Sequence, residues 1–429
     1  MQQLSRPCRG IVWRSIALFL GLFALAALET ASAAPVGATC AGFQRLELKT
    51  AKGLCAGLVA SHLGFARGIA VSGNEVWIAD MGGWRKGHGR LLRIKDGGRG
   101  KVEEMLNHLD EPNALLTLPN GKLLVGSLGR IDMFDPQGAE PGKLQLEPLL
   151  TGLPTTGRHP LPALAAAADG TLYVNVGSAT DHCEGAENAA PDPKAACPET
   201  QETPPRAAII ATRWDVTTVE SAANAKVVAR GLRNSMALAL DASSRLWAAV
   251  NARDFINLAD PSLSDETLPP DTLVRVASGA DYGWPQCYGA GQTSPEYGSL
   301  GCKSKTAPTL LLPAHAAPLG MVYIDAAKPL GVLKSGLLIG YHGYRKTGHR
   351  IVWLPFAGEG EIKGEPVDIA FGWEGQSADG DKKGAKEAFS DSGVPLNPGS
   401  PVALARLPNG NVLVSDDHNG ILIVIGVDK

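Results

Sequence analysis

The chain reads as all-β, a six-bladed β-propeller with long inter-strand loops. Three observations predict this. A turn followed by an apolar strand recurs six times: GNEVWIAD, NGKLLVGS, DGTLYVNVGS, SSRLWAAVN, SGLLIGYHG and NGNVLVSDD. A strand that starts polar and turns apolar precedes each (ARGIAV, PNALLTL, HPLPALAAA, RNSMALAL, PLGMVYI, SPVALARL), and a third strand follows each (GRLLRI, GRIDMF, AAIIATRW, DTLVRV, HRIVWL, GILIVI). The turn motifs start at residues 73, 120, 169, 243, 335 and 409, so the first two intervals, 47 and 49 residues, match one four-stranded blade. A unit of short antiparallel strands cannot bury its own faces, whereas six set radially bury one another and leave a polar mouth at the axis.

In chain order, residues 1–33 stand outside that pattern. Arg6, Arg9 and Arg14 form a basic region, Ile16 to Leu28 an apolar stretch too short to span a bilayer, and Ala31-Ser32-Ala33 a cleavage site. These are the marks of a signal peptide, so residues 34–429 are expected as a single propeller domain in the periplasm or secreted, with no membrane span. Phe43 to Leu63 is expected as outer strands near the first blade, or as strands that complete the last blade and close the ring. Intervals of 74, 92 and 74 residues between the later turns mean that three blades carry insertions. The insertions are the Gly/Pro/Asp-rich stretches 180–205, 251–270, 282–313 and 358–398. The second and third are expected to be ordered and functional, and residues 374–390 solvated.

The chain carries 40 basic and 43 acidic residues, and removing the three Arg and one Glu of the leader takes the net charge from −3 to −5. With no basic block, nucleic acid and anionic membranes are excluded as expected partners. Six cysteines remain after Cys8 leaves with the leader. They fall as close pairs, Cys40 with Cys55, Cys183 with Cys197 and Cys287 with Cys302, and an exported chain favours these local bridges.

In a propeller the innermost strands begin near the axis at one face, so their first residues converge. Here these are Arg67, Asn113, His159, Arg233 with Asn234, His315 and Ser400. Cations, amides and imidazoles at equivalent positions suit a polyanionic, carbonyl-bearing ligand and a proton transfer. Asp254, Asp260, Asp265 and Asp271 crowd the loop that follows the fourth turn, a candidate oxygen cage for a hard cation without EF-hand spacing. Tyr282, Trp284 and Tyr288 concentrate aromatic surface in the next loop, as a packing element or as a stacking wall.

Four stretches together carry a family resemblance: RHPLPALAAAADGTLYVNVGSATDHC, RGLRNSMALALD, VNARDFINLADPSLSDETLPPDTL with ADYGWPQCYG, and SPVALARLPNGNVLVSDDHNGILIVI. In these the chain resembles the soluble pyrroloquinoline quinone (PQQ)-dependent glucose/sorbosone dehydrogenases. The resemblance implies oxidation of a sugar hydroxyl, hydride passing to PQQ and onward to an electron acceptor, with Ca²⁺ polarising the quinone. By position, His159 would be the base and Arg233 would stabilise the reduced cofactor. Arg67, Asn113, Asn234, Arg345 and Lys346 would hold the cofactor, and Tyr282 and Trp284 would wall its pocket. Backbone carbonyls of Ala252 and Arg253, with Asp254, would hold Ca²⁺. The chain departs from the family at Ser400, where an Arg is usual, at Ala237 in place of Gly, and at GYHGYRKTG in the fifth blade. Two other functions stand beside the first: a noncatalytic ligand-binding propeller, and a Ca²⁺-dependent lactonase, which would want an axial ring of Glu, Asn and Asp rather than Arg and His.

Overall fold

A computed structural model describes residues 38–298, 300–343, 345–358, 360–372 and 398–428. The expected signal peptide and most of the fourth insertion lie outside these residues. The six predicted turn-and-strand motifs are six sheets, antiparallel except for one short parallel edge pairing in each of the second and third blades. The first blade is Ala66–Ser72, Glu75–Asp80, Gly89–Ile94 and Val102–Leu109, each strand paired to the next. The second to fifth blades begin with inner strands Ala114–Thr117, Leu164–Ala166, Ala237–Leu240 and Pro318–Ile324.

The sixth blade closes the ring. Its inner three strands, Pro401–Arg406, Val412–Asp416 and Ile421–Val427, come from the end of the chain, and its fourth, Leu54–Ala60, comes from the beginning. Leu422 pairs with Ala60 and Val427 with Leu54, so the two ends of the chain are held by one ladder. The early segment therefore belongs to the last blade and not to the first; in addition, Lys49–Thr50 edges the fifth. The Cys40–Cys55 disulfide fastens the outermost strand of the sixth blade to this closing strand, and Cys183–Cys197 and Cys287–Cys302 staple two insertions, as the spacing predicts.

Both faces of each blade are covered, so the strands read as nearly continuous apolar runs whose alternate residues serve opposite neighbours. In the first blade, Val76 and Ile78 pack toward the sixth with Leu413 and Val424, while Trp77 and Ala79 pack toward the second with Leu123 and Phe134. Equivalent clusters fill the other seams. At the axis the inner strands nearly touch. A Cβ at Gly320 would fall 1.8 Å from the Val402 carbonyl oxygen, and one at Gly68 2.7 Å from the Leu115 nitrogen. Glycine at these places lets six sheets converge and brings the strand starts into one mouth.

Candidate functional site

A cavity of about 270 Å³ opens at that mouth. The inner-strand starts bring Arg67, His159, Arg233, Asn234 and His315 to its wall, with Trp84, Arg158, Asn251, His342 and Arg345 from adjoining loops and Asp271 from the strand Pro270–Arg275. His159 sits on the loop before the third blade. Its Nδ1 lies 3.0 Å from the Ser178 carbonyl oxygen and so donates the ring proton there, leaving Nε2 as the acceptor. Among the described residues Nε2 has no hydrogen-bond partner. Burial, then the neighbouring Arg233 charge, lower the His159 pKa to about 3, so the ring is neutral. Ser178 is itself fixed: its N–H donates to the Arg233 carbonyl at 2.8 Å and its hydroxyl to Thr180 at 2.6 Å. The same bond joins the third blade to the start of the fourth.

Arg233 is 4% exposed and its donors are already engaged. Nε donates to the Asp181 carbonyl at 2.9 Å, Nη2 to the Asp181 carboxylate, and Nη1 to the Ala252 carbonyl at 2.7 Å. Burial alone would raise the Asp181 carboxyl. The hydrogen bond from His182 and the charges of Arg233 and Arg253 outweigh it and hold Asp181 well below the usual carboxylate range. The donor fork anticipated for a ligand thus grips the protein, and the Ala252 carbonyl anticipated for Ca²⁺ accepts from that arginine. Arg253 is turned from the cavity, its Nη1 2.6 Å from Glu296.

His315 bridges two acceptors, Asp254 Oδ1 at 3.1 Å from Nδ1 and the Asp265 carbonyl at 2.7 Å from Nε2. Both nitrogens donate, so the ring is an imidazolium; burial opposes the charge, but the Asp254 bond raises its pKa. Asp254 in turn is lowered, burial notwithstanding, by that bond and by Arg233. Asp271 is 2% exposed, takes the Ala252 and Ala317 N–H groups at 2.7 Å each, and is pushed up to about 6 by burial. The four loop aspartates do not form a cage: Asp260 faces solvent with Ser262, Asp265 pairs with Arg345, and only Asp254 and Asp271 reach the cavity.

Four other expected residues stand elsewhere. Trp284 donates from Nε1 to the Asp181 carbonyl at 3.1 Å, and Tyr282 from its hydroxyl to the Arg275 carbonyl at 3.0 Å. Both line a second, smaller hollow of about 50 Å³ behind Arg233 and wall no part of the main cavity, because the disulfide-stapled loop packs under the arginine. Lys346 is exposed and borders a separate depression with Arg350 and Asp368. Asn113 is buried off the cavity, accepting from Arg67 Nε at 2.7 Å and donating to the Pro162 carbonyl at 2.9 Å.

Asp417, Glu184 and Asp181 are missed in sequence, and Asp265, expected in a cation cage, turns out to be one of the same carboxylates behind the cations. Asp417 Oδ2 accepts from Arg67 at 2.8 Å, Glu184 lies 3.4 Å from Arg158, and Asp265 holds Arg345. Arg67 also stands over the Trp84 ring at 5.9 Å, at the rim. Two buried amide oxygens on the cavity wall, Asn234 Oδ1 and Asn251 Oδ1, have no hydrogen-bond partner among the described residues. Oxygens of this kind, beside the Ala252 carbonyl, fit a hard cation. Arg67, Arg158 and Arg345, which line the same cavity, fit carboxylates.

No protein-family model matches the chain, and no curated protein matches it. Solved structures do share its fold. An AA12 carbohydrate-active enzyme of Trichoderma reesei is 18% identical, with a TM-score of 0.66 over 91% of this chain and 100% of that one. The PQQ domain of a pyranose dehydrogenase from Coprinopsis cinerea, in its holo form, is 18% identical, with a TM-score of 0.65 over 90% and 99%. A PQQ-bound aldose sugar dehydrogenase from Streptomyces coelicolor is 14% identical, with a TM-score of 0.56 over 89% and 100%. At these identities the likeness is one of fold.

Proposed function

We propose that the chain is an exported, PQQ-dependent dehydrogenase that oxidises a hydroxyl of an aldose or a sorbosone-like sugar. The observation that carries this reading is His159, a neutral imidazole whose tautomer is set by Ser178 and whose Nε2 is presented without a partner in a cavity ringed by arginines. The cofactor named for two of the fold neighbours supports the choice of PQQ. Arg67, Arg158 and Arg345 would hold its carboxylates, and the Asn234 and Asn251 amide oxygens with the Ala252 carbonyl would hold Ca²⁺. When bound, the quinone supplies a two-electron hydride acceptor, which no side chain offers.

The protein's part is proton transfer and orientation. His159 Nε2 accepts the hydroxyl proton of a sugar placed within about 2.6–3.2 Å. The proton then leaves for solvent, helped by repulsion from Arg233. A base with so low a pKa is weak in the free protein. An anion brought toward Arg233 offsets the second and smaller of the two causes, so a ligand carboxylate there favours proton uptake at His159. Asp181 and the Ala252 carbonyl keep Arg233 in place while this happens.

The engagement of Arg233 with Asp181 favours a second reading, a propeller that binds a ligand without turnover. One experiment separates the two: incubate the full mature chain with Ca²⁺ and PQQ, add a panel of aldoses, and record both the cofactor spectrum and reduction of an artificial acceptor. Sugar-dependent reduction is expected. Cofactor binding without reduction under any aldose supports the second reading, and failure to bind PQQ removes the first.

A further inference from the structure

The loop ends of the fifth and sixth blades carry a cluster that the proposed sugar chemistry does not use. His342 follows strand Gly336–Tyr341, and Asp417 and His418 follow strand Val412–Asp416. These are equivalent exits of adjacent blades, so the two loops meet beside the axis. One ligand atom from each residue, two imidazole nitrogens and a carboxylate oxygen, lies within 4.8 Å of the others. His342 Nε2 is 3.0 Å from Asp417 Oδ1. This is a hydrogen bond; ligand atoms around a tetrahedral zinc ion at about 2.0–2.1 Å stand about 3.3 Å apart, so an ion that replaced the bonding proton would part the pair by only about 0.3 Å. The rings of His342 and His418 stand edge-on, 5.2 Å between centroids.

The surroundings orient all three. Asp417 is 5% exposed, and its second oxygen accepts from Arg67. His418 Nδ1 bonds the Ser400 hydroxyl at 2.9 Å, which fixes the plane of its ring. Ser400 is fully buried and His342 is 2% exposed. Balancing Arg67 needs the carboxylate alone; two imidazoles delivered to the same point from two blades are what a metal ion needs. We propose that His342, Asp417 and His418 bind one borderline divalent ion of the zinc or cobalt(II) kind. His342 lines the main cavity, and the ion is reached from there. The one carboxylate also faces Arg67, so the bound ion keeps most of its charge, and an anion or water from the cavity completes its shell. This site is distinct from the oxygen donors at Asn234, Asn251 and Ala252 and does not depend on the sugar reading.

The test uses the full mature chain without a histidine tag, stripped with a chelator and titrated with Zn²⁺ by calorimetry and with Co²⁺ by visible absorption. One ion per chain is expected, with the ligand-field bands of four- or five-coordinate cobalt, undisplaced by excess Ca²⁺. His418→Gln and His342→Gln should each weaken binding at least tenfold. Ser400→Ala keeps all three ligands and should weaken it about ten- to a hundredfold through lost orientation, so the proposal stays testable if a histidine variant misfolds. Absence of stoichiometric binding, or binding unchanged in all three variants, overturns the site.

Discussion

Lowering the pH from 7 to 5 probes the environment of His159 directly. Burial, with the Arg233 charge second, places its pKa at about 3 in the folded chain, against about 6.5 when unfolded. A histidine depressed in this way is neutral in the native state. Its contribution to stability is complete above the unfolded value and is lost as the pH falls from about 6.5 toward 3, because the unfolded chain takes up a proton that the folded chain refuses. The full displacement corresponds to about 5 kcal/mol, of which about 2 kcal/mol falls between pH 7 and pH 5. Asp271 titrates over the same range with opposite sign. Its folded value is about 6, above the ordinary carboxyl value of about 3.9, so it favours the fold as the pH falls. Since Asp271 is present in both chains, comparison of wild type with His159→Gln cancels it. Urea unfolding at the two pH values should show wild type losing about 2 kcal/mol more than the variant. Nitrogen NMR of the ring should show the Nδ1–H tautomer still present at pH 5. Equal losses in the two chains, or a ring that titrates near 6, would refute the buried, Arg233-facing placement on which the proton transfer depends.

Two further substitutions test the architecture around it. Asp181→Asn leaves the Arg233 guanidinium buried with only Asp254, 3.8 Å away, as counter-charge and should cost about 3 kcal/mol in chemical unfolding; an unchanged midpoint would mean that the Asp181 pair does not hold the arginine. Gly320→Ala drives a methyl into the Val402 carbonyl, backbone against backbone at the axis, and should destabilise by about 3 kcal/mol or prevent soluble expression; a normal melting temperature would show that the fifth and sixth blades are not so closely set.

The sixfold order was legible because it is local. Each turn and its flanking strands fall within a few tens of residues, and a strand buried on both faces has to read apolar throughout. The closure was less legible because Leu54–Ala60 finds Ile421–Val427 across almost the whole chain, and nothing local says which blade lacks a strand. The same distinction governs the site. Arg67, His159, Arg233, Asn234 and His315 were legible as neighbours because inner-strand starts are equivalent by topology. Their partners were not. Asp181, Glu184 and Asp265 lie on insertions of unequal length, and Asp417 on a second-strand exit, where spacing carries no register. Trp284 and Tyr282 show the converse: an aromatic loop at the expected place in sequence packs behind the arginine and not in front of it, since a disulfide-stapled loop has two sides and composition does not tell them apart.

That layer of carboxylates changes what the ring of cations means. Read from the strand starts alone, Arg67, Arg233 and their neighbours suggest an unpaired positive cup. In the structure Asp417 faces Arg67, Asp181 faces Arg233, Glu184 faces Arg158, Asp265 faces Arg345 and Asp254 faces His315. The Asp417–Arg67 and Asp181–Arg233 pairs are buried on both sides, so they offset the cost of burying charge and fix a long side chain in one rotamer before any ligand arrives, whereas Arg158 stays half exposed. An anionic ligand gains by adding an acceptor to a guanidinium already in position, and it forgoes the larger attraction of a bare charge. Such a mouth therefore favours geometry over long-range pull. It should discriminate among anions by where their oxygens lie, with affinity that varies little with salt compared with that of an unpaired cluster.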